Sequence, residues 1–185
     1  MVNLYPVTQM KKQIPPSVHN WPAPAVLVGC GTTSQPNIIT ISWFGTVNSV
    51  PPMVSVSIRP SRHSFKLIQR SGEFTVNIPR LSDIKSVILA GEKSGRDTDK
   101  FRELKLTALS CPPLLTAPMI AESFLSLGCK LKKELPLGTH HIFIGEIVCA
   151  YCEEEFIRPD GSVNPSPESQ FVWLDKSYWR LKPIE

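Results

Sequence analysis

Asn37-Ile-Ile-Thr40-Ile-Ser42-Trp43 and, a turn later, Met53-Val-Ser55-Val-Ser57-Ile58 are two runs in which β-branched apolar residues alternate with small hydroxyls. A period of two is the mark of a strand, because successive side chains leave it on opposite faces. Thr40 and Ser42 then share one face of the first strand, while Ile39, Ile41 and Trp43 share the other. Ser55, Ser57 and Arg59 repeat the arrangement on the second strand, opposite Val54, Val56 and Ile58. Two adjacent strands with a hydroxyl-lined face leave room for a flat ligand and offer it hydrogen bonds. A solvated barrel exterior accounts for the same pattern, and these two runs leave both readings open.

Outward from this pair the same texture continues. Ala25 to Val28 is a short apolar strand ending at Gly29, and Phe74 to Ile78 is another, stopped by Pro79. Leu125, Leu127, Cys129 and Leu131 alternate with Ser126, Gly128, Lys130 and Lys132, as a half-exposed strand does. His141 to Tyr151 is apolar on both faces, as in a central barrel strand. The helical stretches are short. Ser61 to Arg70 puts Phe65 and Ile68 on one face and stops at Ser71-Gly72, and Ser82 can cap a second helix through about Ala90. Gly91 to Asp99 reads as a loop in which Asp97 caps one turn carrying Phe101. Six or so strands joined by turns predict a mainly β fold, an antiparallel barrel closed to remove its edges.

The chain has 185 residues, which fits one domain with an added arm. Residues 1–24, with five prolines, are expected to form an extended arm lying on the body. Residues 25–152 form the barrel, and residues 153–185 form loop and an aromatic tail packing on it. The 18 prolines, about twice ordinary usage, oppose a helical bundle. A net charge of +4 is too small and too dispersed for a nucleic-acid footprint. Lys11-Lys12 and Lys130, Lys132 and Lys133 read as solvated faces. The start lacks an apolar signal-peptide run, and no stretch reaches the about 20 apolar residues of a membrane helix, so a cytoplasmic location is expected.

Five cysteines form an odd, scattered set, as expected of reduced thiols. Cys149-Ala-Tyr-Cys152 has C-x-x-C spacing, but a zinc site needs a second pair, and a thioredoxin-type motif opens a helix. The pair reads as strand cysteines, and no metal site is expected. Gly29-Cys-Gly31-Thr-Thr-Ser34 imitates a dinucleotide fingerprint, yet its third glycine is Ser34 and no helix follows, so a hairpin turn is the better reading.

The chemistry gathers just after the second hydroxyl-bearing strand. Arg59, Ser61, Arg62, His63 and Ser64 cluster where a helix is predicted to begin. A helix start presents unpaired N–H groups and partial positive charge, so arginines and hydroxyls added there make a site for an anion such as phosphate. The alternative is that Ser61 merely caps the helix and the arginines are solvated.

Five segments, in order, resemble those of the flavin reductase-like proteins, the flavoredoxins among them. They are Asn37-x-x-Thr40-x-Ser42-Trp43, the strand ending Ser57-Ile-Arg59, Ser71-Gly72-Glu-Phe74-Thr-Val-Asn77-Ile-Pro79, Ser94-Gly95-Arg96-Asp-Thr-Asp99-Lys100-Phe101 and Gly138-Thr-His140-His-Ile-Phe-Ile-Gly145-Glu146. The resemblance spans roughly Trp21 to Tyr151. It implies an antiparallel, Greek-key-like split β-barrel binding FMN non-covalently, with NADH or NADPH as reductant and a homodimer as assembly. Carried over by position, Thr40, Ser42 and Trp43 would lie along the isoalloxazine, and Ser57, Arg59 and Ser64 would hold the phosphate. Ser94, Gly95, Arg96 and Lys100 would close the pocket as a loop. Asn37, Ser61, Arg62 and Asn77 join the flavin-binding set, and His140 is the candidate catalytic residue. Little matches around Val47 to Val50 or after Arg158, the regions that shape substrate entry.

The expectation is therefore a flavoprotein oxidoreductase passing electrons from NAD(P)H to flavin or a protein acceptor. A pure electron carrier without nicotinamide activity and a ligand-free barrel acting as an interaction module are the alternatives.

Overall fold

The computed structural model describes residues 11–165 and 170–184, so the first ten residues of the expected arm lie outside the described set. The strands are β1 (Val26–Gly31), β2 (Pro36–Ile41), β3 (Phe44–Ser49), β4 (Pro52–Ile58), β5 (Glu73–Ile78), β6 (Ala108–Leu109), β7 (Met119–Ile120), β8 (Leu125–Pro136), β9 (His141–Cys152), β10 (Phe171–Leu174) and β11 (Ser177–Arg180). Three helices, α1 (His63–Ser71), α2 (Ile84–Glu92) and α3 (Lys100–Leu104), lie between β4 and β6. Seven strands make one antiparallel sheet in the order β2-β1-β5-β8-β9-β4-β3. Its two edges, β2 and β3, are consecutive in the chain and joined by Ser42 and Trp43 alone. The sheet therefore curls on itself without a ladder between its edges, a split barrel where composition alone suggested a closed one.

Alternation fills the inside. Val26, Val28 and Cys30 of β1 and Val54, Val56 and Ile58 of β4 meet Phe74, Val76, Cys129 and Phe143 in the barrel core. α1 sends Phe65 and Ile68 into the same core, each contributing about 1.5–3 kcal/mol by burial. Outside β1 and β2 a second core joins Leu27 and Ile38 to Val87 and Ala90 of α2, Phe101 of α3 and Phe171 of the tail. β1 and β2 bury residues on both faces because a helical layer covers the outer one.

Several boundaries differ from the sequence reading. α1 starts at His63 with Arg62 as its cap residue, and Ser61 belongs to the preceding turn. Ser82 caps nothing; a 3-10 turn at Leu81–Asp83 precedes α2, with the Arg80 N–H bonded to Asp83. Asp99, not Asp97, caps α3, accepting from the Arg102 N–H at 3.1 Å. β3 was not foreseen, because Gly45, Asn48 and Ser49 dilute its pattern and, as an edge, it buries little. The tail aromatics form the hairpin β10–β11, turned by Asp175 and Lys176 at positive φ. Residues 11–22 are exposed along their whole length; among the described residues of the arm, Ala23 is the first that is buried, and it pairs with Trp173. No helix among the described residues is long and apolar enough to cross a membrane.

Candidate functional site

The chain leaves β4 at Ile58 and enters α1 five residues later through a turn closed by the Arg62 N–H donating to the Arg59 carbonyl at 2.9 Å. Arg62 is extended, no side chain caps the helix, and its first turn holds no acidic residue. The Phe65 N–H donates to the Arg62 carbonyl at 3.2 Å, and with no side-chain cap and no acid in its first turn the helix start keeps its partial positive charge. Ser64, buried inside that turn, accepts a 2.7 Å hydrogen bond from Asn37 Nδ2, which also reaches Cys30 Sγ at 3.4 Å. Asn37 thus acts from behind the site, fixing Ser64.

The loop after α2 folds over this helix start. The Ser94 carbonyl accepts from the N–H groups of Asp97 and Thr98, making a tight turn, and Arg96 Nη2 donates to the Ser61 carbonyl at 2.9 Å. Gly95 sits against Asn37 so closely that a Cβ there would lie 2.9 Å from Asn37 Cγ and 3.1 Å from His63 Cδ2. Glycine is what allows the loop to reach the helix. Lys100, 3% exposed, opens α3, and its Nζ donates to the carbonyls of Ile38 and Ala90, both at 2.7 Å. Together these elements enclose a pocket of about 190 Å³ lined by Ser61, Arg62, His63, Ser64, Ser94, Gly95, Arg96 and Lys100.

A second cleft, about 250 Å³, opens at the seam of the barrel and is lined by Thr40, Ser42, Trp43, Ser57, Arg59 and His140. The two share Ile39, Arg62 and Gly91, so they form one continuous trough. Thr40 Oγ1 donates to the Val87 carbonyl of α2, leaving only its lone pairs for a ligand. The His140 ring lies 4.4 Å from that of Trp43, and its Nε2 accepts from Arg59 Nε at 3.3 Å. Nδ1 of the same ring pairs with the Thr139 hydroxyl at 3.0 Å.

The field in the trough is positive. Burial lowers the pKa of His140, and the neighbouring charges of Arg59 and Arg62 lower it further, so its ring is neutral. Burial also lowers that of His63, and Arg96 and Lys100 add to the effect against the weaker opposing pull of Asp97. Burial brings the Lys100 ammonium down to about 8, the Cys30 sulfur opposing the shift and Arg62 adding to it. Hydroxyls, guanidinium and ammonium groups and free helix N–H donors, with Asp97 the one carboxylate on the wall, match a phosphate dianion. The adjoining cleft, walled by an indole and an imidazole, matches a flat ring.

Thirteen of the fifteen sequence candidates line this trough. Two belong elsewhere in role. Asn37 supports from behind, and Asn77 is a correction: it is fully buried on the far side of β5. Its Nδ2 donates to the Leu27 carbonyl and to Thr75 Oγ1, and its Oδ1 accepts from the Ile120 N–H and the Ser126 hydroxyl. All its capacity is used within the fold. The same network explains why Ser126, expected on a solvated face, is buried. Ser57 and Arg59, expected beside a phosphate, line the ring cleft instead, and Arg62 borders both halves. His63, part of the predicted cluster, lines the pocket, and Gly91 and Lys93 also line it and were not singled out for it. The available signal was the Gly91 to Gly95 stretch next to a helix end.

The flavin reductase-like domain family matches residues 18–178. The flavoredoxin of Methanosarcina acetivorans has a similar structure, with a TM-score of 0.87 and 29% identity over 96% of this chain and 94% of that one. For the flavoredoxin of Desulfovibrio vulgaris (Miyazaki F) the values are 0.84 and 28%, over 95% and 96% of the two chains. An uncharacterized protein of Archaeoglobus fulgidus is 34% identical over 114 residues, 62% of this chain and 64% of that protein. The chain thus spans under two thirds of that relative.

Proposed function

The chain belongs to the flavin reductase-like family, and from that premise we propose that it is a flavoprotein that binds FMN non-covalently and takes electrons from NADH or NADPH for delivery to flavin or a protein acceptor. One observation carries the reading: the anion pocket at the uncapped start of α1 opens directly into a cleft shaped for a flat ring. Ser61, Arg62, Ser64, Ser94 and Arg96 would hold the phosphate, with Lys100 adding charge from below. Thr40, Ser42, Trp43 and Ser57 would flank the isoalloxazine. Bound FMN supplies the hydride and electron chemistry, so the chain needs no nucleophile or acid pair of its own.

What the chain contributes is orientation. His140 is held by Arg59 on one nitrogen and Thr139 on the other, which fixes its ring against Trp43 and keeps it neutral at the mouth of the cleft. A fixed neutral ring beside the reacting face can align a nicotinamide without adding a charge that would oppose hydride departure. The Ser94–Lys100 loop shields the phosphate from water, strengthening each charge contact beneath it.

A second reading is a carrier that exchanges electrons with proteins only. The 37% exposure of Trp43 at the cleft mouth favours it, since a partner could approach there. The homodimer belongs to the proposal as well: Val47 on edge strand β3 and Val50 just beyond it are exposed apolar residues, and equilibrium sedimentation tests it. The deciding experiment is a visible absorbance spectrum of the purified protein with FMN, repeated anaerobically after adding NADH or NADPH. Shifted flavin bands that bleach support the reductase. Bands that bleach only with a protein donor support the carrier, and a spectrum identical to that of free FMN refutes the site.

A further inference from the structure

The C-x-x-C spacing of Cys149 and Cys152 resolves in an unexpected way. Both lie on β9, and a strand rises about 3.3 Å per residue, so their Cα atoms stand roughly 10 Å apart. A disulfide needs less than about 7 Å. Cys149 meets a different cysteine: its Sγ is 3.6 Å from Sγ of Cys111, 38 residues away in sequence.

The fold builds this contact deliberately from several sides. Cys111 lies in the segment between β6 and β7, and that segment is clamped. The N–H groups of Leu115 and Thr116 and the Thr116 hydroxyl all donate to the Glu73 carboxylate. The Tyr151 hydroxyl donates to the Pro112 carbonyl at 2.8 Å, tying the same segment to β9. The two sulfurs meet over Gly128, which is the register partner of Cys149 on β8. A Cβ at Gly128 would come within 3.0 Å of Cys111 Sγ and closer still to Cys149 Sγ. Glycine leaves the space the two sulfurs occupy. Cys111 is 1% exposed, whereas Cys149 is partly open to solvent.

We propose that Cys111 and Cys149 form a dithiol modification site, oxidised by hydrogen peroxide to an intramolecular disulfide. Cys149, the reachable partner, loses its proton as its sulfur attacks the peroxide. The O–O bond breaks, a sulfenic acid forms, and the departing hydroxide takes up a proton to leave as water. The Cys111 sulfur then attacks Cys149 Sγ, the S–O bond breaks, and the Cys111 proton leaves with the hydroxide as a second water. Two thiols lose two electrons and one peroxide becomes two waters. The sulfurs must close from 3.6 Å to a bond of about 2.05 Å, a movement shared by two side chains. Burial pushes Cys111 up to about 12, so it waits as a thiol and reacts only once Cys149 has been activated. The inference does not depend on flavin binding.

Cys30 and Cys129 are wholly buried in the barrel core, and Cys152 has no thiol within bonding reach on its strand. The site therefore predicts that two of the five thiols disappear. The test treats reduced full-length protein with hydrogen peroxide, then measures intact mass, counts thiols under denaturing conditions and maps peptides without reduction. The expected result is a loss of two hydrogens, a thiol count falling from five to three, and one linked pair, Cys111 to Cys149. Cys149→Ser should abolish the link, and Cys152→Ser should leave it intact. A Cys149 that ends as sulfinic acid with no link, a link to any other cysteine, or five thiols surviving a large peroxide excess would each overturn the proposal.

Discussion

Replacing Gly95 by alanine isolates the pocket from the rest of the fold. The added Cβ would overlap Asn37 Oδ1 and lie 2.9 Å from Asn37 Cγ, so restoring an ordinary spacing of about 3.5 Å requires a retreat of about 0.6 Å from the carbon and a larger one from the oxygen. Either the Ser94–Asp97 turn lifts, carrying Ser94 and Arg96 off a phosphate, or Asn37 swings and releases Ser64 from its 2.7 Å bond. Both routes remove at least one charge-assisted hydrogen bond, worth about 1.5–3 kcal/mol, so FMN affinity should fall roughly 10- to 150-fold. Fluorescence titration of FMN measures this, and riboflavin, which lacks the phosphate, is the internal control: its dissociation constant should move by less than about twofold. Thermal stability of the ligand-free protein should change little where the turn lifts, because the loop lies outside both cores, and should fall by about 1–3 kcal/mol where Asn37 releases the buried Ser64. Equal weakening of FMN and riboflavin, or no weakening of FMN, would refute the placement of the phosphate under this loop.

Asn77→Ala should do the opposite, leaving FMN affinity unchanged while stranding buried partners. A loss of about 1–3 kcal/mol corresponds to a fall of about 2–12 °C in Tm by calorimetry. Lys100 gives a pH signature of two signs. Its folded-state value of about 8 lies below the ordinary 10.5, so between those values the unfolded chain holds more protons and this residue makes ligand-free stability rise with pH. Over the same window the ammonium is lost from the pocket, so FMN affinity should fall above about pH 8, and Lys100→Met should flatten that dependence in a titration series. His140→Ala should lower NADH-driven flavin reduction by about tenfold or more, the loss of one positioned contact. Its FMN dissociation constant should stay within about threefold, which stopped-flow and equilibrium titration separate.

The logic of the site explains why the barrel is split. A sealed ladder between β2 and β3 would consume the edge where Thr40, Ser42 and Trp43 line a cleft, and it would close the passage into the anion pocket. No ladder runs between β2 and β3, and the cleft opens at that seam.

What the sequence determined by itself is local in origin. Alternation along β2, β4 and β8 marked those strands because side-chain direction follows from backbone pleat alone. The cluster from Arg59 to Ser64 marked a candidate anion site because a helix start has the same donors in any fold. Tertiary structure decided everything that depends on which strands become neighbours. Asn77 and Ser64 are both small polar residues in recognisable segments, yet one is saturated behind β5 and the other lines the pocket, a difference set by contacts dozens of residues away. Cys149 likewise found Cys111 rather than its sequence neighbour Cys152. Pairing across a sheet is fixed by the packing of the whole barrel, and no window of the chain contains that information.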